Sequence, residues 1–154
     1  MSKYFVWLFW LILYLFVSST IGQVTQSNID DWYKDLIKST FNPPNYVFPI
    51  VWTIIYGMVA TAGHLIWQDK CDKGIKTIFI LYTIMNWSWS FVFFEAQNIT
   101  LAFGWIVAVN LINIWFIIKT YKKHRWSSIL MVSPLIWTGF ATFLTFEIWR
   151  LNGS

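Results

Sequence analysis

A chain of 154 residues that is 57% hydrophobic and only 12% charged has too little polar material to coat a water-soluble fold, where about 25% charge is usual. The length allows one domain and no separate soluble module. A net charge of +4 needs no nucleic-acid partner to explain it, and a single cysteine, Cys71, excludes both an intramolecular disulfide and a metal site built on thiolates.

The first apolar run, Tyr4 to Gly22, follows Lys3 and ends in Ser18-Ser19-Thr20-Ile21-Gly22. It fits either a secretory signal peptide or a retained membrane helix. Its aromatic content (Trp7, Phe9, Trp10, Tyr14, Phe16) favours the helix.

Between Gln23 and Val47 lies a long connection, of the kind that is functional or disordered in a compact domain. Asn28 is placed to cap a short helix carrying Asp30 and Asp31 in its first turn, and Trp32/Leu36 and Tyr33/Ile37 form two i,i+4 apolar pairs. The helix is expected to stop by Ser39 or Thr40, and Pro43-Pro44 then imposes a stiff extended passage. A lid over one end of the bundle follows; an interfacial anchor of Trp32 and Tyr33 is the alternative.

Four further runs complete a predicted all-α integral membrane protein, a five-transmembrane-helix bundle. They span Phe48 to Trp67, Thr77 to Phe94, Leu101 to Ile118 and Ser128 to Trp149, each close to the roughly 20 residues that cross a bilayer. In the second helix Trp52 and Tyr56 stand one turn apart just inside the lid, and His64 is expected to be hydrogen-bonded near the helix end. In the third, Asn86, Trp89, Ser90 and Phe93 form one face with two polar groups, which is costly against lipid and should point inward. In the fourth, Gly104 and Ala108 have a small-xxx-small spacing that permits a homodimer contact. In the fifth, Trp137, Phe140, Ala141 and Leu144 share a face. Aromatic faces interrupted by small residues can line an apolar pocket for a flat ligand or simply pack helices together; periodicity serves both equally.

Eight basic residues (Lys3, Lys70, Lys73, Lys76, Lys119, Lys122, Lys123, Arg125) fall at the amino-terminal side of such a bundle and three (Lys34, Lys38, Arg150) at the other. The excess places the amino terminus in the cytoplasm or its equivalent and the carboxyl terminus outside. No phosphate loop, nucleophile elbow or spaced carboxylate pair is present, and neither a metal nor a cofactor is expected.

Several blocks together resemble the tryptophan-rich sensory protein family, which includes the translocator proteins known as peripheral-type benzodiazepine receptors. They are Trp32-Tyr33, Phe41-Asn42-Pro43-Pro44, Trp52-Thr53-Ile54-Ile55-Tyr56, the N-x-x-W-S-x-x-F-F element Asn86 to Phe94, and the W-x-x-F-A element Trp137 to Ala141. The resemblance implies a ligand cavity under the first loop, often in a homodimer, and porphyrins such as protoporphyrin IX or haem as ligands, with lipid or sterol as lesser partners. It assigns ligand contact to Tyr33, Pro44, Trp52, Tyr56, Asn86, Trp89, Trp137 and Ala141, and Ser90, on the same face as Asn86 and Trp89, is expected to join them. It also implies that Trp52 and Trp137 match the indoles implicated in light-dependent porphyrin breakdown by bacterial relatives. Lys34 and Lys38 are the candidate cations for a porphyrin's propionates, with a solvated helix face as an equal alternative.

Two departures bear on that carry-over. The family's P-Y-x-x-W reads Ser133-Pro134-Leu135-Ile136-Trp137, so the proline is displaced and a change in the fifth helix's kink is expected. Leu144 to Arg150 lacks the tyrosine of the sterol motif, which argues against sterol.

Overall fold

The computed structural model describes residues 3–68 and 71–153; Lys70, one of the basic residues counted above, lies outside them. Five apolar helical spans long enough to cross a membrane run through the described residues. The elements are α1 (Lys3–Ile29), α2 (Val47–Gln68), α3 (Lys73–Ser90), α4 (Ile99–Thr120), α5 (Arg125–Leu130) and α6 (Val132–Asn152), the last two forming one interrupted span. The chain is a multi-pass integral membrane protein with an all-helical bundle, since lipid offers no partner for open backbone and each span must satisfy its own.

Three local features depart from the expected layout. First, α1 does not stop at Gly22 but continues to Ile29, 27 residues in all. At 1.5 Å per residue it is about 40 Å long, more than the hydrocarbon core requires. Asn28 therefore lies inside a helix and donates to the Val24 carbonyl (2.9 Å) instead of capping a new one.

Second, the lid holds only one 3₁₀ turn, Tyr33–Asp35, where a short α-helix was expected. Turns around Ser39–Asn42 and Pro44–Val47 flank the Pro43-Pro44 passage, with Asn42 N donating to Ser39 O and Val47 N to Pro44 O, both at 3.0 Å.

Third, the last span breaks at Met131. A proline produces a break of this kind because it has no N–H and crowds the carbonyl four residues back; here Pro134 sits in the first turn of α6, four residues after Leu130. The displaced proline thus divides the span near its start.

The half of the bundle far from the lid is solid. Tyr14, Phe79, Tyr82, Phe116 and Met131 are fully buried there, and the Phe79 ring meets Trp10, Trp67 and Phe116 at centroid distances of 5.8, 6.0 and 5.6 Å. Gly63 is required at this point: a Cβ added there would lie 2.8 Å from Phe79 Cζ. Between α4 and α6 runs a polar seam. Thr138 Oγ1 donates to Asn110 Oδ1 (2.6 Å), Asn110 Nδ2 to Thr142 Oγ1 (2.8 Å), and Asn113 Nδ2 to the Met131 carbonyl (3.1 Å). Such groups lock helices in register where lipid cannot hydrogen-bond them. His64 departs from expectation, because its buried Nδ1 has no hydrogen-bond partner among the described residues.

Candidate functional site

The lid half is hollow. A cavity of about 570 Å³ lies between the second half of α1, the start of α2, the end of α3 and the second half of α6, with the lid's Tyr33 above it. That volume lies within the range of small-molecule sites, which are mostly apolar with a few placed polar groups.

Each wall has a local cause. On α2, Trp52 and Tyr56 are one turn apart and their rings lie 5.2 Å from each other, presenting a continuous aromatic surface. On α3, Trp89 donates its Nε1 proton to the Ala102 carbonyl of α4 (3.0 Å), which fixes the indole plane; Phe93 then stacks on it at 5.1 Å and 17°. The helix ends in a π turn, Phe91–Glu95, closed by Ala96 N donating to Phe91 O (2.8 Å). Its wider turn lets the adjacent Phe93 and Phe94 both face inward, buried and in edge contact at 4.8 Å. On α6, Ala141 provides room and Leu144, Thr145 and Ile148 continue the wall.

The lid is held from both sides. Tyr33 is buried against Phe93 and Phe94 and its hydroxyl donates to Asn42 Oδ1 (3.1 Å). At the opposite edge the Asn152 side chain grips the backbone of Ile37, accepting from its N–H (2.9 Å) and donating to its carbonyl (2.8 Å). Phe41 adds an edge contact to Phe143 of α6 at 6.0 Å. Lys38 donates to the Lys34 and Leu36 carbonyls (3.2 and 2.9 Å), with its ammonium 4.5 Å from the centre of the Tyr33 ring. Burial lowers the Lys38 pKa from its ordinary value, and the Asp35 charge acts against that shift. Burial likewise raises the Tyr33 phenol, while its bond to Asn42 acts to lower it.

Six of the nine residues expected to contact ligand, Tyr33, Trp52, Tyr56, Trp89, Ser90 and Ala141, line this one cavity. Three do not. Pro44 is exposed and serves to start α2 through its carbonyl. Asn86 is buried on α3 outside the lining, one turn before Trp89. Trp137 packs on Phe140 and on Phe48, itself a lining residue (5.7 and 5.9 Å), so of the two indoles singled out Trp52 borders the cavity directly and Trp137 stands behind Phe48. Nor do Lys34 and Lys38 line it. Sequence reasoning missed the α1 wall of Ser18, Ile21, Gly22, Thr25, Gln26 and Ile29. The spacing 18, 22, 25, 29 is a helical face that the assumed end at Gly22 concealed.

Comparison with known proteins agrees with this architecture. The pattern of the TspO/MBR family matches residues 9–150. The chain is 31% identical over 130 residues to the tryptophan-rich protein TspO of Archaeoglobus fulgidus, covering 83% of this chain and 84% of that one. It is 27% identical over 146 residues to the tryptophan-rich sensory protein of Cereibacter sphaeroides, covering 93% and 92%. It is also 27% identical over 126 residues to the human translocator protein, covering 79% and 75%.

Proposed function

The chain belongs to the TspO/MBR family, and on that premise we propose that it binds porphyrins, such as protoporphyrin IX or haem, or similarly flat hydrophobic molecules within the bundle, for tetrapyrrole sensing, transport or disposal. The observation that carries the reading is the cavity's aromatic wall. Trp52, Tyr56, Trp89 and Phe93 offer faces on which a planar macrocycle can stack, and the hydroxyls of Ser90 and Thr145 among apolar neighbours can orient it. In this reading the lid lies outside and the amino terminus on the cytoplasmic side or its equivalent, because basic residues concentrate at that end. The tryptophan-rich sensory and translocator names belong to the relatives; similarity over 93% and 79% of this chain supports carrying a related role to it.

A second reading, light-dependent oxidation of the bound porphyrin with dissolved dioxygen as the oxidant, is favoured by one observation, the indole of Trp52 on the cavity wall. Trp137 stands behind that wall, its ring against the lining residue Phe48.

The test is dark titration of detergent-purified protein with protoporphyrin IX, followed by quenching of tryptophan fluorescence. Saturation at one ligand per chain, with an affinity about tenfold weaker in Trp52→Phe, is the expected result, a loss of stacking on the order of 1.4 kcal/mol. Unsaturable quenching indifferent to the substitution marks partition into the micelle and removes the reading. Illumination of the saturated complex then separates binding from turnover: loss of more than one porphyrin per chain establishes the second reading.

A further inference from the structure

The cavity contains no charge. Among the described residues, none that lines it is Asp, Glu, Lys, Arg or His, so an ionised group drawn fully inside would meet no counter-ion from them. An unpaired charge in such surroundings is strongly disfavoured. The lid does not remedy this, because neither Lys34 nor Lys38 lines the cavity, and Lys38 gives two of its three N–H groups to the Lys34 and Leu36 carbonyls.

The cavity's wet edge lies elsewhere. The lining residues from the lid, α3 and α6 are buried or half-buried, among them Tyr33, Phe93, Ala141 and Thr145. The exposed ones all come from α1 or from α2 and the turn before it: Ser19, Gly22 and Gln26 on one side, Asn45, Tyr46, Pro49 and Thr53 on the other. They border a slot between two membrane spans. Ser19, Gln26 and Thr53 lie within the spans, and polar side chains left exposed there tend to mark a surface used for passage or binding. Gly22 stands at its centre, and a Cβ there would meet nothing within 4 Å. Meanwhile the aqueous end is fastened by the two hydrogen bonds between Asn152 and Ile37.

We propose that this slot, centred on Gly22, is a lateral portal through which flat hydrophobic ligands exchange between the membrane and the cavity, and in which their ionised substituents remain. The proposal rests on the cavity-binding reading above. It makes the ligand's carboxylates rim groups: the neutral ring enters, while the charged edge stays among Ser19, Gln26, Asn45 and Thr53 in contact with headgroups and water. The lid is then a fixed roof, and access does not depend on raising it.

The test is stopped-flow release of protoporphyrin IX from the full chain in lipid nanodiscs. Gly22→Leu and Ser19→Leu narrow the slot and are expected to slow release by about tenfold, as a blocked access step does. Damage to the site would speed release, so slowing is not a by-product of misfolding. Asn152→Ala frees the roof and is expected to leave the release rate within about twofold. Faster release in Asn152→Ala, with both slot variants at the wild-type rate, overturns the portal and leaves the binding reading intact. Absence of saturable binding in the wild type removes both. As a second measurement, the dimethyl ester of protoporphyrin IX is expected to bind within about threefold of the free diacid. A diester affinity tenfold or more below the diacid would mean that carboxylates are recognised inside, against the proposal.

Discussion

The two ends of the bundle are built from the same residue types and differ in how much space those residues leave. At the far end Trp10, Trp67 and Phe79 interlock and leave no room for a methyl group at Gly63. At the lid end Trp52, Trp89 and Phe93 stand around about 570 Å³ of space, and Gly22 faces none of them within 4 Å. The contrast shows that aromatic content does not determine whether a helix bundle is filled or hollow. Small residues and fixed rings decide it: Ala141 and Gly22 withhold volume, while the Trp89 bond to Ala102 O prevents the indole from collapsing inward. The first region carries stability; in the proposed function the second carries recognition.

Substitutions can break this division. The largest effect is expected for Phe79→Ala, which empties the solid half; thermal unfolding in detergent should show a loss of about 3–5 kcal/mol. Next come the two glycines, with opposite signs. Gly63→Ala forces a methyl against Phe79 and should destabilise by about 1–3 kcal/mol. Gly22→Ala removes a flexible residue from a helix interior where space is free, and should stabilise by about 0.5–1 kcal/mol. Equal losses at both positions would show that the slot is closed.

A smaller effect separates the two indoles. Trp137→Phe should leave porphyrin affinity within about twofold, whereas Trp52→Phe weakens it about tenfold, on the scale of a lost stacking contact. If the two substitutions act alike, Trp137 reaches the ligand and the cavity extends towards α5.

The smallest expected effect is the lid's response to alkali. Burial holds the Lys38 pKa below its ordinary 10.5, so between that lowered value and 10.5 the folded lid binds fewer protons than the unfolded chain and its stability rises with pH. Tyr33 is shifted upward from 10.0, so its contribution is complete below pH 10 and is lost as pH climbs through the raised value. The protection factors of the amides from Tyr33 to Ile37, which already discount the base catalysis of exchange itself, should therefore fall above pH 10, and Tyr33→Phe should abolish that fall.

The five spans could be read from the sequence because an uninterrupted apolar run of membrane length has few other uses. The end of α1 could not. Residues 23–28 are mostly polar, and in isolation they resemble a loop; they stay helical as part of the cavity wall and through contacts such as Asn28 with Glu95 (3.5 Å). Rotation about a helix axis was equally hidden. Trp52 and Trp137 each recur with neighbours at helical spacing, yet one ring borders the cavity and the other packs on Phe48, a choice made by the facing helix. The lid showed its turn residues but not its fastening, since nothing near Ile37 in the sequence points to Asn152.

That fastening sets an order of assembly. The grip of Asn152 on Ile37 joins residues 115 positions apart, so it closes one of the longest loops in the chain. Closing such a loop becomes favourable only after the intervening helices have come together and spared its entropy. The roof is therefore fixed after the walls, and a chain whose α6 is still unplaced has its hollow half open to the aqueous side. An inserted but unfinished molecule would be the form most prone to take up stray hydrophobic material, and the form a quality-control protease would find easiest to cut within the segment 30–46.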